Sequence, residues 1–137
     1  MEDCPFCNLK DRVIRENEHV FVLLSNPRKV PGHVLVIPKR HVEEPWELTA
    51  EERRDIFALT DDVTKRLVAA KLGDGVDMRQ NYRPFMQQGK LSVRHIHFHL
   101  IPRMQDDYIY QISEKYDTEL FANIDESEAK EVTKLLK

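Results

Sequence analysis

The sequence contains little cysteine, glycine or tryptophan and has no long apolar run. Its 137 residues include two cysteines, four glycines and one tryptophan. No stretch approaches the ~20 apolar residues that a membrane-spanning helix needs, so no membrane association is expected. A chain of this length buries enough apolar surface to fold without disulfides. We therefore expect one domain over residues 1–137, with a core at about 4–103 and a C-terminal extension at about 104–137.

Positive charge is not in excess either. The chain has 21 Lys and Arg against 24 Asp and Glu, a formal net charge of −3. This balance gives no general attraction to a nucleic-acid polymer or an anionic membrane, so any anion site must be local. The N-terminal stretch "MEDCPFCNLK" lacks the apolar region of a secretory signal, and its C-x-x-C pair then favours a reducing cytoplasm.

The pattern of apolar residues predicts an α+β fold. Short apolar runs predict strands over residues 19–24, 33–39, 75–82 and 93–101. A helical spacing predicts a long helix over 50–72, which a Thr49–Glu52 capping box begins and Gly73 ends as the C′ residue. Two short helices are expected near residues 117–124 and 126–137. Helices placed beside an antiparallel sheet indicate an α+β domain.

Three of the six histidines stand in "HIHFHL", residues 95–100. Side chains of a strand alternate between its faces, so the apolar residues Ile96, Phe98 and Leu100 share one face and His95, His97 and His99 share the other. A half-exposed strand could carry such a face by chance, but Thr, Lys or Glu would serve it equally well. The repeated choice of histidine therefore suggests chemistry.

Two kinds of chemistry fit the alternating histidines. Same-face neighbours lie about 6.6 Å apart and the outer pair about 13 Å apart, whereas zinc ligands must come within about 2.1 Å of the metal. One metal held by all three is therefore excluded, and an H-x-H metal pair stays open. Alternatively, a neutral imidazole is a nucleophile toward phosphorus at pH 7, and its neighbours can donate hydrogen bonds to phosphoryl oxygens.

Three segments together resemble the histidine triad superfamily. "HIHFHLI" (95–101) matches its H-φ-H-φ-H-φ-φ pattern, in which φ is apolar, at every position. "GHVLVIPKRH" (32–41) matches the second family segment, and "CPFC" (4–7) matches an N-terminal C-x-x-C. The three segments occur in the family's order, with the long helix between the second segment and the triad.

The resemblance implies a fold, a reaction and a substrate class. It implies a sheet with a long central helix, a homodimer across that helix and a strand, and action on a small nucleotide. His97 would attack the α-phosphorus and form a nucleotidyl–histidine intermediate, with His33 and His99 at the phosphate. The expected substrates are dinucleoside polyphosphates or nucleoside phosphoramidates, with hydrolysis favoured over transfer and no catalytic cofactor required.

The resemblance also implies a structural zinc. Branches of the superfamily bind one through residues that correspond to Cys4, Cys7, His41 and His95, and two thiolates with two imidazoles make a closed tetrahedral site. The alternatives are free thiols or a redox pair. A redox C-x-x-C normally opens a helix after a strand, whereas this pair precedes every strong strand signal.

The sequence departs from the family in two places. An acidic residue that holds the ribose hydroxyls often stands eight positions before the histidine of the second segment; here Ser25 stands there, with Asn26 beside it. Before the triad, "GKLSVRH" keeps Ser92 but has Leu91 in place of a phosphate-binding glutamine. The loop before the triad offers other donors suited to phosphate, which are Arg83, Gln87, Gln88 and Lys90.

The sequence also allows two other functions. A nucleotide-binding module would keep the fold and the pocket with little turnover, and a metalloenzyme would use His95 and His97 as an H-x-H pair. Away from the triad, Trp46 is expected to be a packing residue and His19 to lie at the start of a strand without a role.

Overall fold

The computed structural model describes residues 4–9, 11–89 and 91–137. The chain divides into two compact units, Met1–Gln105 and Asp106–Lys137. The first unit holds a five-stranded antiparallel sheet in the order β1-β2-β3-β5-β4. The strands are β1 (Val13–Glu16), β2 (Val20–Leu24), β3 (Val34–Pro38), β4 (Gly75–Arg79) and β5 (Phe98–Arg103). This confirms the α+β fold with an antiparallel sheet, although β1 carries no signal strong enough to predict it.

The long helix α1 (Ala50–Ala69) covers one face of the sheet. One layer of the core joins Val34 and Val36 of β3 to Ile56, Leu59 and other residues of α1. The residues between them, Leu35 and Ile37, face the opposite side and pack on the N-terminal segment through Phe6 and Leu9. Each of these buried aliphatic side chains contributes about 1.5–3 kcal/mol. The central strand β3 is therefore buried on both faces.

The two ends of α1 differ in how well they were predicted. The capping box is confirmed, because Thr49 Oγ1 accepts a hydrogen bond from the Glu52 N–H and the Glu52 carboxylate accepts one from the Thr49 N–H. The prediction of Gly73 as the C′ residue is wrong. Lys71 takes that place with φ 60°, and the Leu72 N–H reaches the Leu67 carbonyl in a Schellman motif.

Gly73 allows the end of helix α1 to approach strands β4 and β5 closely. A Cβ at this position would lie 2.8 Å from the Gly75 carbonyl oxygen and 2.9 Å from the Arg103 nitrogen. Helix α1 can thus end directly against the pair of strands β4 and β5 only because residue 73 has no side chain.

The strand predicted over residues 93–101 begins later and ends later. The β3–β5 register pairs Val36 with Phe98, so continuing it would place Pro38 opposite Ile96. Pro38 has no N–H to donate, and the Ile96 N–H bonds the Val42 carbonyl instead, at 2.7 Å. His95 and His97 therefore precede β5 (Phe98–Arg103), and Pro102 lies within the strand that it was expected to close.

The second unit contains α2 (Tyr108–Ile112), a 3₁₀ turn at Glu114–Glu119 and α3 (Glu126–Leu136). The helix predicted near residues 126–137 is confirmed. The helix predicted near 117–124 is wrong, because only a 3₁₀ turn ends there and α2 forms earlier, where Asp107 caps the Tyr110 N–H. Among the described residues, no helix is both long and apolar enough to cross a membrane.

Two side chains outside the triad differ from expectation. Trp46 is 66% exposed in a 3₁₀ turn at Pro45–Glu47, so its prediction as a packing residue is wrong. His19 has a structural role, because its Nδ1 lies 2.7 Å from Asp55 Oδ2 and ties the start of β2 to α1.

Candidate active site and metal centre

The triad histidines share the sheet face opposite α1. Ile96 and Leu100 are buried in the core against α1, as the alternation predicts. His95 on the other face is 1% exposed, whereas His97 and His99 are half-buried. The three rings therefore have different surroundings, although they alternate regularly in sequence.

His95 is oriented toward the N-terminal cysteines. Its Nε2 lies 2.8 Å from the Pro38 carbonyl, which can only accept, so Nε2 carries the proton and Nδ1 carries a lone pair. Nδ1 lies 3.4 Å from Cys4 Sγ and 3.7 Å from Cys7 Sγ. Burial lowers the pKa of His95 to about 4, so the ring is neutral at pH 7. The Pro38 carbonyl thus sets the tautomer that a metal ligand requires.

Four side chains form a group that could hold a metal ion: Cys4, Cys7, His41 and His95. Their ligand atoms all lie within 4.8 Å of one another, and His41 Nδ1 is 3.3 Å from Cys7 Sγ. In a tetrahedral zinc site, bond lengths of about 2.3 Å to sulfur and 2.0–2.1 Å to nitrogen place S and N about 3.5 Å apart. The observed separations of 3.3–3.7 Å fit such a site.

His97 carries its free lone pair on the other ring nitrogen. Its Nδ1 lies 2.7 Å from the His95 carbonyl oxygen and must donate to it, which leaves Nε2 unprotonated. Burial lowers the pKa of His97, partly offset by this hydrogen bond, so the neutral form is favoured. The Phe6 ring packs edge to face with the imidazole, with centroids 5.1 Å apart. His97 is therefore held in place with a nucleophilic nitrogen free.

His33 and His99 form a relay of hydrogen bonds. The Lys29 N–H donates to His33 Nδ1 at 3.0 Å, so His33 carries its proton on Nε2. The His33 Nε2–H then donates to His99 Nδ1 at 2.9 Å, so the proton of His99 is on its Nε2. Burial, followed by nearby positive charge, lowers the pKa to about 4 for His33 and about 3 for His99. His99 is thus fixed as a neutral donor.

This relay predicts acid sensitivity of the fold. An unfolded histidine has a pKa near 6.5, so between about pH 6.5 and 4 the unfolded chain binds protons that His33 and His99 do not. The free energy of unfolding should fall as the pH drops through this window, by up to about 1.4 kcal/mol per pH unit for each histidine. Above pH 7 the two groups contribute no pH dependence.

Urea unfolding at several pH values from 7 to 4.5 measures this slope. The variant His33→Gln removes one of the two histidines, so its slope should be shallower than that of the wild type. Because other acid effects act on both proteins, the difference between the slopes isolates the relay. Equal slopes would contradict the assignment of His33 as a neutral buried group.

His97 and His99 open onto a pocket of about 230 Å³. Two stretches supply most of its wall: residues 81–84 with Met86, and residues 91–94, which include Ser92. Glu43 and Glu44 complete it. His97, with its unprotonated Nε2, and His99, the donor at the end of the relay, therefore line one shared space.

Three other described residues that were predicted to bind substrate lie outside the wall of this pocket. The Ser25 hydroxyl donates to the Pro27 carbonyl at 2.9 Å, and Asn26 beside it is exposed. Gln88 Oε1 accepts from the Arg94 N–H at 3.2 Å, on the loop that precedes the triad. Ser25, Asn26 and Gln88 do not line the pocket. Lys90 lies outside the described residues.

Sequence reasoning missed the acidic and aromatic wall of this pocket. Glu43, Glu44 and Tyr82 line it, and none was a candidate. One available signal was spacing, because Glu43 and Glu44 follow His41 by two and three residues. Because His41 and His95 are expected to bind the same metal ion, residues two or three positions after His41 have to lie near the triad.

An α+β fold with a five-stranded antiparallel sheet, and three alternating histidines of which two line a pocket, define the histidine triad class of proteins. The chain belongs to the HIT family, because the HIT domain family model matches residues 7–106.

Relatives with similar sequences include named hydrolases. An uncharacterised HIT-like protein of Methanocaldococcus jannaschii is 35% identical over 76% of this chain and 81% of its own length. A bis(5'-adenosyl)-triphosphatase of Dictyostelium discoideum is 31% identical over 76% of this chain and 68% of its own. An adenosine 5'-monophosphoramidase of Schizosaccharomyces pombe is 35% identical over 56% of this chain and 53% of its own.

Solved structures share the fold. A HIT family protein from Bacillus anthracis aligns with a TM-score of 0.71 at 24% identity, over 98% of this chain and 95% of its own. A zinc-bound histidine triad family protein from Mycobacterium smegmatis aligns with a TM-score of 0.64 at 28% identity, over 78% of this chain and 79% of its own. The family thus includes nucleotide hydrolases and a protein that binds zinc.

Proposed function

We propose that the chain is a nucleotide hydrolase, with nucleotidyl transfer as the related activity, and that it acts at the α-phosphate. The observation that carries this proposal is the tautomer of His97, which leaves Nε2 free beside the pocket. The similar triphosphatase and phosphoramidase suggest the substrates. These are dinucleoside polyphosphates or nucleoside phosphoramidates.

In the first step His97 Nε2 attacks the α-phosphorus. An N–P bond forms, and the bond to the leaving group breaks with its electron pair remaining on the leaving group. A phosphate leaving group departs as an anion, and an amine leaves after taking a proton from solvent. The His97 ring becomes positively charged, and its Nδ1–H bond to the His95 carbonyl stabilises that charge.

In the second step water attacks the same phosphorus and releases a proton to solvent. The N–P bond breaks with its electron pair returning to Nε2, which restores neutral His97. His99 Nε2–H donates to a phosphoryl oxygen in both steps, held in that tautomer by His33. Ser92, which lines the pocket, supplies a further donor to phosphate. Ser25 and Asn26 as ribose contacts, and Gln88 and Lys90 as phosphate contacts, stay predictions.

A single-turnover incubation tests the proposal. The protein, in excess over a nucleotide substrate labelled at the α-phosphate, should acquire label that is stable in base and lost in acid, as a phosphorus–nitrogen bond to histidine requires. Peptide mapping should place the label on His97. A nucleotide-binding module would retain the nucleotide without any covalent label, and that result would overturn the enzymatic proposal.

An H-x-H metalloenzyme is disfavoured by the positions of the ring nitrogens. Two histidines that share a metal must both aim lone pairs at it, but the free nitrogen of His95 faces Cys4. His97 Nδ1 donates its proton to the His95 carbonyl, so it has no lone pair for a metal. The two rings therefore serve different purposes in the proposed mechanism.

We propose that the Cys4, Cys7, His41 and His95 group holds a structural zinc ion. Two thiolates and two imidazoles are a donor set that zinc prefers, and they leave no open coordination position for chemistry. The zinc-bound relative supports this choice of metal. When bound, the zinc would cross-link the N-terminal segment to His95; His97 and His99 carry out the reaction. Two cysteines that form no disulfide and serve as metal ligands also fit our proposal of a reducing, cytoplasmic compartment.

We also propose a homodimer across α1 and β4. Strand β4 lies at one edge of the sheet, and an edge strand is the kind of strand that can pair with a second chain. On α1, Phe57 and Val68 are 55% and 38% exposed and lie eleven residues apart on one face of the helix. Light scattering in solution should give twice the chain mass of 16.2 kDa. A mass equal to that of one chain would contradict the proposal.

A further inference from the structure

One buried acceptor in the pocket beside His97 lacks a donor. Glu44 and Tyr82 line the pocket together, and the nearby Glu44 carboxylate raises the pKa of the Tyr82 hydroxyl. The Glu44 Oε2 atom is nevertheless buried without a hydrogen-bond partner among the described residues. A buried carboxylate oxygen that lacks a donor costs free energy. A molecule that fills the pocket would remove this cost by donating an N–H or O–H to Oε2.

An exposed aromatic pair stands next to this acceptor. Trp46 is 66% exposed, although large aromatic side chains are normally covered, and it follows Glu44 by two residues in the 3₁₀ turn. Its ring meets that of Tyr82 edge to face, with centroids 5.4 Å apart. The rings are thus held in place while a broad aromatic surface stays open. Nucleobases stack on such surfaces.

The same pocket also offers unpaired positive charge. Arg83 lines it and makes no ion pair in the described part of the chain. Arg94 lines it as well, and among the described residues its guanidinium donates to the Pro84 and Met86 carbonyls and to no carboxylate. A pocket with an aromatic surface, a free acceptor and cations matches the base and the phosphates of a nucleotide.

We propose that Glu44, Tyr82 and Trp46 form a subsite for the nucleobase of the leaving group, and that it selects a base with an exocyclic amino group. This proposal rests on the proposed function, in which His97 is the nucleophile. The amino group of adenine or cytosine would donate to Glu44 Oε2. Hypoxanthine and uracil present a carbonyl oxygen at the equivalent position, which would meet the carboxylate as acceptor against acceptor. The favoured substrates are therefore dinucleoside polyphosphates with an amino-bearing base.

Fluorescence tests this subsite without requiring turnover. Trp46 is the single tryptophan of the chain, so tryptophan emission, excited where tyrosine does not absorb, reports on this position alone. Titration with AMP should quench the emission to saturation, and IMP should bind about tenfold more weakly, since the lost hydrogen bond leaves Glu44 Oε2 unpaired. The variant Glu44→Gln should abolish this preference. Glu47→Gln removes a neighbouring carboxylate outside the pocket wall and should behave as the wild type.

Two outcomes of the titration would overturn the subsite. One is AMP binding, seen by calorimetry, that leaves the Trp46 emission unchanged. The other is equal affinity of the wild type for AMP and IMP. Both outcomes leave the proposed reaction intact, because they do not concern His97.

Kinetics with two leaving groups gives the complementary test. Diadenosine triphosphate expels a nucleotide, whereas adenosine 5'-phosphoramidate expels ammonia, which has no base. Trp46→Ala and Glu44→Gln should lower kcat/KM about tenfold for the first substrate and less than twofold for the second, and Trp46→Phe should restore most of the loss. Equal losses on both substrates would overturn the subsite. Wild-type protein that turns over neither substrate would overturn the proposed function, and the titration would still judge the subsite.

Discussion

Replacing His97 with alanine should abolish turnover of every nucleotide substrate, with a loss on the order of 10⁴-fold in kcat. The loss should be this large because no other triad histidine can replace it. His99 has its lone pair on Nδ1, where the His33 N–H occupies it, and its other nitrogen carries a proton. His95 has its lone pair directed at the cysteines. Of the three triad histidines, only His97 both lines the pocket and has an unprotonated nitrogen without a hydrogen-bond partner among the described residues.

Steady-state kinetics and the labelled single-turnover assay measure this loss together. The variant should keep nucleotide binding, because the His33–His99 pair and the pocket wall remain, but it should acquire no covalent label. Its melting temperature should stay close to that of the wild type, since His97 is only half-buried and makes one hydrogen bond. His19→Ala, which removes a histidine bonded to Asp55 outside the site, is the matched control and should keep full turnover. Near-native activity of His97→Ala would contradict the mechanism.

Sequence reasoning reached the fold and the family because its signals were local. The capping box, the buried run of β3 and the alternation around Ile96 and Leu100 each depend on neighbouring residues, and the structure confirms all three. The end of α1 was wrong for a reason that is not local. Gly73 looks like a helix terminator, but it is required by the approach of α1 to Arg103, thirty residues away in sequence.

The differences among the triad rings could not have been predicted from alternation alone. An ideal strand would give His95, His97 and His99 equivalent positions on one face. The absence of an N–H on Pro38 ends the β3–β5 ladder and frees the Pro38 carbonyl for His95, which turns that ring toward Cys4. The division between metal ligand and nucleophile thus depends on a proline fifty-seven residues away in sequence.

The pocket wall was missed because its residues come from loops without periodicity. Glu44 and Tyr82 meet across a sequence separation of 38 residues, and neither stands in a segment that resembles the family. Trp46 was expected to pack because tryptophans usually do, but its position in a short 3₁₀ turn leaves it exposed. Loop side chains of this kind need coordinates before they can be placed.

The variant Cys4→Ser should lose bound zinc and unfold at a markedly lower temperature. Cys4 is buried with Phe6 and Leu9 in the core layer beneath the sheet, and its sulfur lies 3.4 Å from His95 Nδ1. A serine hydroxyl is a poor zinc ligand, so the N-terminal segment would lose its cross-link to His95. Since structural zinc binding contributes directly to the free energy of folding, we expect a loss of at least about 3 kcal/mol. For a chain of this size this corresponds to a fall of about 10 °C or more in the melting temperature.

Elemental analysis and thermal unfolding with and without a chelator measure the two effects. Wild-type protein should contain about one zinc ion per chain and should lose thermal stability when chelated, whereas Cys4→Ser should contain little zinc and respond weakly to the chelator. Cys7 is exposed, so Cys7→Ser should lose the metal with a smaller direct packing cost, which separates loss of the ion from loss of burial. If chelation removed the zinc from the wild type without lowering its melting temperature, the ion would not be structural. The N-terminal segment would then be held by the packing of buried side chains such as Phe6 and Leu9.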